Sequence, residues 1–190
     1  MTQTLAPEEN HDSSRRAALL SAAALLGLGG GAFLWRRYGL TGKLLNPLSA
    51  EKFDLPPLPG LLDAKGAPVP GFSAADLVGK TVFLNAFASW CPQCREEHEA
   101  LLEFAKGGAV IYGIAALDRP EQTLQYLGEK GNPFQRVGMD RSGWLHLALG
   151  ARGIPSSFVL SPAPKLVFKQ EGPMQIDALR EKIGPLLKGA

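Results

Sequence analysis

Cys91 and Cys94 are the only cysteines in this 190-residue chain, and they stand in a Cys-x-x-Cys spacing. Few chemistries suit such a pair. A purely structural disulfide would close almost no loop and so would restrain the unfolded chain little. Zinc needs four ligands, and a second Cys or His pair usually supplies the rest. Here His98 is the one candidate nearby, with His11 and His146 far away in sequence. Covalent haem attachment needs a histidine directly after the second cysteine, and Arg95 occupies that place. A reversible redox dithiol remains. It needs no metal and no cofactor.

The elements around the pair favour that reading. Thr81–Ala88 is an apolar run of the kind that forms a strand buried on both faces. Pro92 to about Lys106 reads as a helix, with proline suited to its first turn. Cys91 therefore falls between a strand end and a helix start. Free N–H groups and the positive end of the helix dipole favour a thiolate there. Cys94, one turn on, is placed to resolve a mixed disulfide. Trp90, beside the first cysteine, reads as a substrate contact, and His98 as an exposed helix residue. Asn85 lies in the buried strand and can only hydrogen-bond, so another group or water must accept protons. Gln93 adds no cation between the cysteines, and Glu96 and Glu97 oppose a thiolate. Together they point to a reducing dithiol.

The rest of the chain alternates. A strand is expected at 109–116 and a helix from a variant capping box at Asp118–Glu121 to about Glu129. A short strand is expected near 135–138, a helical turn near 144–149, and strands at 157–160 and 165–168. A last helix spans 175 to about 187, with Ile176, Leu179, Ile183 and Leu187 on one face and Gly184-Pro185 shortening its final turn. This order points to an α/β sheet with helices on both sides.

The N-terminus is different. Residues 1–16 form a polar tail. Residues 17–35 are uncharged and apolar, close to the ~20 residues that cross a bilayer, with Arg15-Arg16 and Arg36-Arg37 on either side. An uncleaved transmembrane anchor is expected there. Near-equal flanking charge leaves its orientation open. Residues 36–52 read as a linker, within a Pro- and Gly-rich stretch that runs to about Leu61 and holds a short strand at 53–55, and residues 53–190 as the folded domain. Lys and Arg total 20 against 18 Asp and Glu, a net charge of +2. Such a balance makes no case for nucleic acid as a partner.

The run from Leu84 to His98, LNAFASWCPQCREEH, resembles the DsbE/CcmG group of thioredoxin-like thiol:disulfide interchange proteins of cytochrome c maturation. Gly79-Lys80, Gly131-Asn132-Pro133-Phe134 and Gly153-Ile154-Pro155 extend the resemblance over about residues 53–187. It implies a thioredoxin-like fold, a mixed central sheet flanked by helices, behind one N-terminal transmembrane helix. It implies a single-pass inner-membrane protein with its domain facing the periplasm, working as a monomer. It implies that Cys91 and Cys94 form the redox-active disulfide. Trp90, Pro92, Ile154 and a cis Pro155 would form the substrate-binding surface around them. The implied substrate is the disulfide of an apocytochrome c haem-binding motif, and the implied electron donor a membrane thiol reductase. Three places depart from the family pattern: Ala115-Ala116-Leu117-Asp118, Arg152, and Ser156-Ser157. They are expected on the substrate face, which they would make less acidic. Two other readings stand beside this one. One is a broader extracytoplasmic reductase, for instance for copper-site assembly on an oxidase. The other is a redox-inert peptide-binding module, which a thiol assay with a small disulfide would separate.

Overall fold

The computed structural model describes residues 53–188. The polar tail, apolar run and linker expected at 1–16, 17–35 and 36–52 lie outside the described residues. Among the described residues no helix is long and apolar enough to cross a membrane.

Five strands form the central sheet: β3 (Val82–Phe87), β4 (Ile111–Ala116), β5 (Arg136–Asp140), β6 (Ser156–Leu160) and β7 (Leu166–Glu171), in the spatial order β5-β4-β3-β6-β7. β3 pairs with β4, and β4 with β5, in parallel. Parallel neighbours need a crossover, and helices α1 (Pro92–Lys106) and α2 (Pro120–Lys130) provide the two. β6 returns antiparallel on the other side of β3, and β7 pairs antiparallel with β6.

Period-two alternation sorts the side chains of β3 between two cores. Phe83 and Phe87 face one cluster with Leu101 and Phe104 of α1 and Ile183 near the C-terminus. Val82, Leu84 and Ala86 face the other, with Phe72, Tyr112, Leu145 and Phe158. Asn85 alternates with Phe83 and Phe87 and so faces α1. Close packing needs Gly113 in β4, where a Cβ would come within 2.8 Å of the Phe134 ring. That ring stacks on Phe87 at 4.7 Å.

A small antiparallel pair, β1 (Asp54–Leu55) and β2 (Phe72–Ser73), with a 3-10 turn at Ala74–Leu77, packs on the second face. The strand at 53–55 was expected from sequence, but β2 and the turn were not. The Pro-rich stretch through Leu61 is also no mere tether at its end. Leu55, Leu58 and Leu61 are buried, so their apolar surface outweighs the extended, linker-like composition around them.

The short helix α3 (Trp144–Ala148) precedes β6. The C-terminal helical run comprises Ile176–Ala178, a π-helical turn at Leu179–Ile183, and Gly184–Lys188. Pro185 has no N–H to give to the carbonyl one turn back, and the ladder widens just upstream of it. The helix therefore adjusts its spacing at Gly184-Pro185 and continues.

Candidate active site

Cys91 is the N-cap of α1, with φ −85° and ψ 114°, and Pro92 follows in the first turn. The Cys91 Sγ accepts a hydrogen bond from the backbone N–H of Cys94 at 3.1 Å. The two cysteines form a disulfide with Cα atoms 5.3 Å apart. In this oxidised form both are nearly closed to solvent, Cys91 at 4% exposure and Cys94 at 2%. The Ile154–Pro155 peptide bond is cis. The Ile154 carbonyl oxygen lies 3.8 Å from Cys91 Sγ. Trp90 is 54% exposed, and its indole N–H donates to the Leu117 carbonyl at 3.1 Å. Trp90, Pro92, Ile154 and Pro155 are thus gathered around the dithiol, although Ile154 lies more than 60 residues further along the chain.

A polar frame holds the loop before α1. Buried Asp118 accepts from the Ser89 backbone N–H at 2.6 Å and the Ser89 hydroxyl at 2.9 Å. It also accepts from the Arg119 N–H at 2.8 Å and the Thr123 hydroxyl at 2.9 Å. Asp118 thus ties the β4–α2 loop to the loop that carries the cysteines, in place of the expected capping box. Arg119 is the N-cap residue of α2 and makes no side-chain cap. Arg95 donates to the Ser89 carbonyl through Nε at 3.1 Å and Nη2 at 2.7 Å, with its guanidinium 5.3 Å from the Tyr126 ring centre. Asp118→Ala would strand several buried donors at once, at about 1–3 kcal/mol each if unrelieved. We expect a loss of roughly 3 kcal/mol of stability by denaturant unfolding, whereas Glu121→Ala at an exposed site should change it by less than about 0.5 kcal/mol.

The buried face of α1 holds two polar residues that the sequence reading placed differently. Cys94, Glu97, His98, Leu101 and Phe104 are all buried, a spacing of three and four that marks one helix face. Glu97 is fully buried. Its Oε1 accepts from Asn85 Nδ2 at 2.8 Å and its Oε2 from the Met174 N–H at 3.0 Å. Burial raises its pKa to about 7, against the opposing pull of these two hydrogen bonds. At neutral pH Glu97 is therefore about half protonated, and it opposes a nearby thiolate less than its residue type suggests. His98 is buried rather than exposed, because it falls on the same face. Its ring bridges the Tyr126 hydroxyl and the Gly131 carbonyl, each at 2.9 Å. Desolvation lowers its pKa, so it stays neutral and braces α1 against α2. The 3.6-residue period from Cys94 to Phe104 was the available signal for both residues.

Ser156 and Ser157 are likewise buried, contrary to the expectation that they line the substrate face. The Ser156 hydroxyl donates to the Gly153 carbonyl at 2.7 Å, and Ser157 Oγ lies 3.4 Å from Asn85 Nδ2. Their position on β6, between β3 and β7, puts them inside the sheet. Of the other departures Leu117 and Arg152 are exposed, whereas Ala115, Ala116 and Asp118 are buried and so do not line that face either.

The comparisons with known proteins agree with this geometry. The redoxin family model matches residues 61–183. The thiol:disulfide interchange protein CycY of Rhizobium leguminosarum bv. viciae is 37% identical over 128 residues, covering 67% of this chain and 69% of that protein. The thiol:disulfide interchange protein DsbE of Pseudomonas aeruginosa is 33% identical over 155 residues, covering 81% of this chain and 84% of that protein. Among solved structures, a thioredoxin-family thiol:disulfide interchange protein of Chlorobium tepidum superposes with a TM-score of 0.55 at 26% identity, covering 74% of this chain and 94% of the other. With its dithiol at a helix N-terminus beside a cis-proline, the chain belongs to the redoxin family, among the DsbE-type thiol:disulfide interchange proteins, and is a thiol:disulfide oxidoreductase that acts on disulfide-bearing substrates.

Proposed function

We propose that this oxidoreductase is a membrane-anchored reductase with its domain in the periplasm, and that it reduces the disulfide of apocytochrome c before haem attachment. The observation that carries the reading is the match to DsbE over 84% of that protein's length. The uncharged apolar run at 17–35 supplies the anchor.

The chemistry follows from the site. The Cys91 thiolate attacks one sulfur of the substrate disulfide. A mixed disulfide forms, and the other substrate sulfur leaves as a thiolate that takes up a proton. Cys94 then gives its proton to Glu97, its neighbour one helical turn on, and attacks the Cys91 sulfur. The second substrate sulfur leaves Cys91 as a thiolate and takes up a proton, so the substrate departs as a dithiol and the Cys91–Cys94 disulfide forms. Two electrons and two protons from a membrane thiol reductase restore the dithiol. Ile154 and the cis-proline present backbone groups to the substrate strand, while Trp90 and Pro92 flank it.

A strain lacking this protein should fail to attach haem to c-type cytochromes, and an added small-molecule dithiol should restore attachment. Normal cytochrome levels in that strain would refute the apocytochrome reading. A reporter fused after Ala190 should be active in the periplasm and silent in the cytoplasm; the reverse would refute the topology. With uncharged Gln93 between the cysteines, the couple should equilibrate with glutathione at a potential well below the about −120 mV of the strongest periplasmic oxidant.

A further inference from the structure

Four large apolar side chains stand exposed near the dithiol: Trp90 at 54%, Leu117 at 53%, Trp144 at 36% and Leu147 at 54%. Contacts link them. The Trp90 indole donates to the Leu117 carbonyl at 3.1 Å. The Leu117 N–H donates to the Asp140 carbonyl at 2.9 Å. The Leu117 side chain covers Gly143, where an added Cβ would come within 2.8 Å of it. Gly143, at φ +69°, starts α3. On α3, Leu145 and His146 turn inward, while Trp144 and Leu147, three residues apart, turn outward. Apolar surface therefore continues from the tryptophan beside Cys91, across the end of β4, to the outer face of α3. Scattered exposed apolar residues are ordinary, but a contiguous group beside a reactive centre marks an interaction surface.

Toward α3 the exposed charge around this surface is mainly basic. Its two loops each carry an aspartate, and both aspartates are buried and occupied. Asp118 serves Ser89, Arg119 and Thr123. Asp140 accepts from the Trp144 and Leu145 N–H groups and from the Ser142 hydroxyl. An exposed arginine follows each of them, Arg119 and Arg141, and exposed Arg152 lies two residues before Ile154. The exposed acids lie toward the edges of the surface: Glu96 on α1, Glu129, which lines a hollow with Trp90 and Arg95, Glu121 in the first turn of α2, and Glu171, whose carboxylate accepts from the Arg152 N–H and from Lys169.

We propose that this surface receives the polypeptide flanking the target cysteines and selects segments that carry apolar and acidic residues there. The proposal rests on the oxidoreductase reading and adds a substrate class to it. Any substrate disulfide must reach Cys91, so the chain on one side of it has to pass Trp90. The backbone groups at Ile154 are blind to sequence. Trp144, Leu147, Arg141 and Arg152 supply selection by side chain.

The test uses the reduced full-length chain and three peptides that share one Cys-x-x-Cys disulfide loop. Their flanks are apolar with acidic residues, apolar with lysines, or polar and neutral. Hydroxyethyl disulfide, small and uncharged, is the fourth substrate. The apolar–acidic peptide should be reduced about tenfold faster than the other two peptides. Trp144→Ser with Leu147→Ser should bring the apolar advantage down to about twofold or less. Arg141→Glu with Arg152→Glu, both at exposed positions, should reverse the order of the acidic and basic peptides. Reduction of hydroxyethyl disulfide should be nearly unchanged in both double variants. Equal rates for all three peptides with the unmutated protein would overturn the proposal, as would variants that slow all four substrates alike. No reduction of hydroxyethyl disulfide by the unmutated protein would instead overturn the oxidoreductase reading, and the proposal with it.

Discussion

Cys91→Ser should abolish reduction of protein disulfides, by at least about 10³-fold, whereas Cys94→Ser should accumulate protein mixed disulfides. The asymmetry comes from the helix. Cys91 is the N-cap residue, and its sulfur accepts the Cys94 N–H at 3.1 Å. That N–H is one of the donors a helix leaves unpaired at its start, and it lies at the positive end of the dipole. A negative sulfur is stabilised at that point and nowhere else along α1. Cys94 sits a turn deeper, on the face with Leu101 and Phe104. It is bonded to Cys91 in the oxidised form and is the slightly more enclosed of the two, at 2% exposure against 4%. Non-reducing gels of the two serine variants, after exposure to a disulfide-bearing peptide, would read the difference. Adducts on Cys91→Ser but not on Cys94→Ser would show that the roles are exchanged.

The second large effect is expected at Glu97. Release of the mixed disulfide requires Cys94 to lose its proton inside a core, and Glu97 is the buried acid on the same helix face. A positioned acid or base contributes about 10²–10⁴-fold to such a step. Glu97→Gln keeps the shape, although one of its hydrogen-bonding partners must then reorient. It should slow release about 10²-fold while leaving attack by Cys91 nearly unchanged. In the unmutated protein the release rate should rise with pH around 7, the value to which burial raises this carboxyl. The variant should lose that inflection. Equal slowing of attack and release would sink the proton-acceptor role.

The same group makes stability depend on pH. Its folded pKa lies above the ordinary value of 4.5, at about 7. Between these two pH values the folded state holds a proton that the unfolded state has lost. Stability therefore falls as pH rises through that window, and the loss is complete above it. The full effect is on the order of 3 kcal/mol. Glu97→Gln should flatten the dependence, which denaturant unfolding at pH 4.5 and pH 8 would measure. A slope unchanged by the substitution would assign it to another group.

Much of the central sheet and its helices was legible in the chain, because each signal was local. The apolar run at 81–88 could be satisfied only by burial on both faces, and β3 is buried throughout. Pro92 begins α1, and Lys106 ends it, as read. The misreadings share one cause. Leu58 and Leu61 sit in a Pro- and Gly-rich stretch whose composition describes an isolated chain, but they bury themselves against the sheet once it exists. His98 was judged by residue type, and Ser156 and Ser157 by their place in the family pattern, whereas burial is decided by which neighbours close over a position.

By itself, the sequence determined the reactive pair, its place at a helix start, and the resemblance that names the family. Spacing along a helix or strand is enough for these. Tertiary structure alone decided what surrounds the pair. It brought Ile154 and the cis-proline to Cys91 from more than 60 residues away. It carried Asp118 under Ser89. It set Glu97 against Asn85 and the Met174 amide, 12 and 77 residues distant. Such juxtapositions depend on the order of strands in the sheet, and desolvation turns them into chemistry. Glu97 is an ordinary acid in the unfolded chain. Its pKa rises toward neutrality only because the sheet and the C-terminal segment close around it and exclude the water that would keep it ionised.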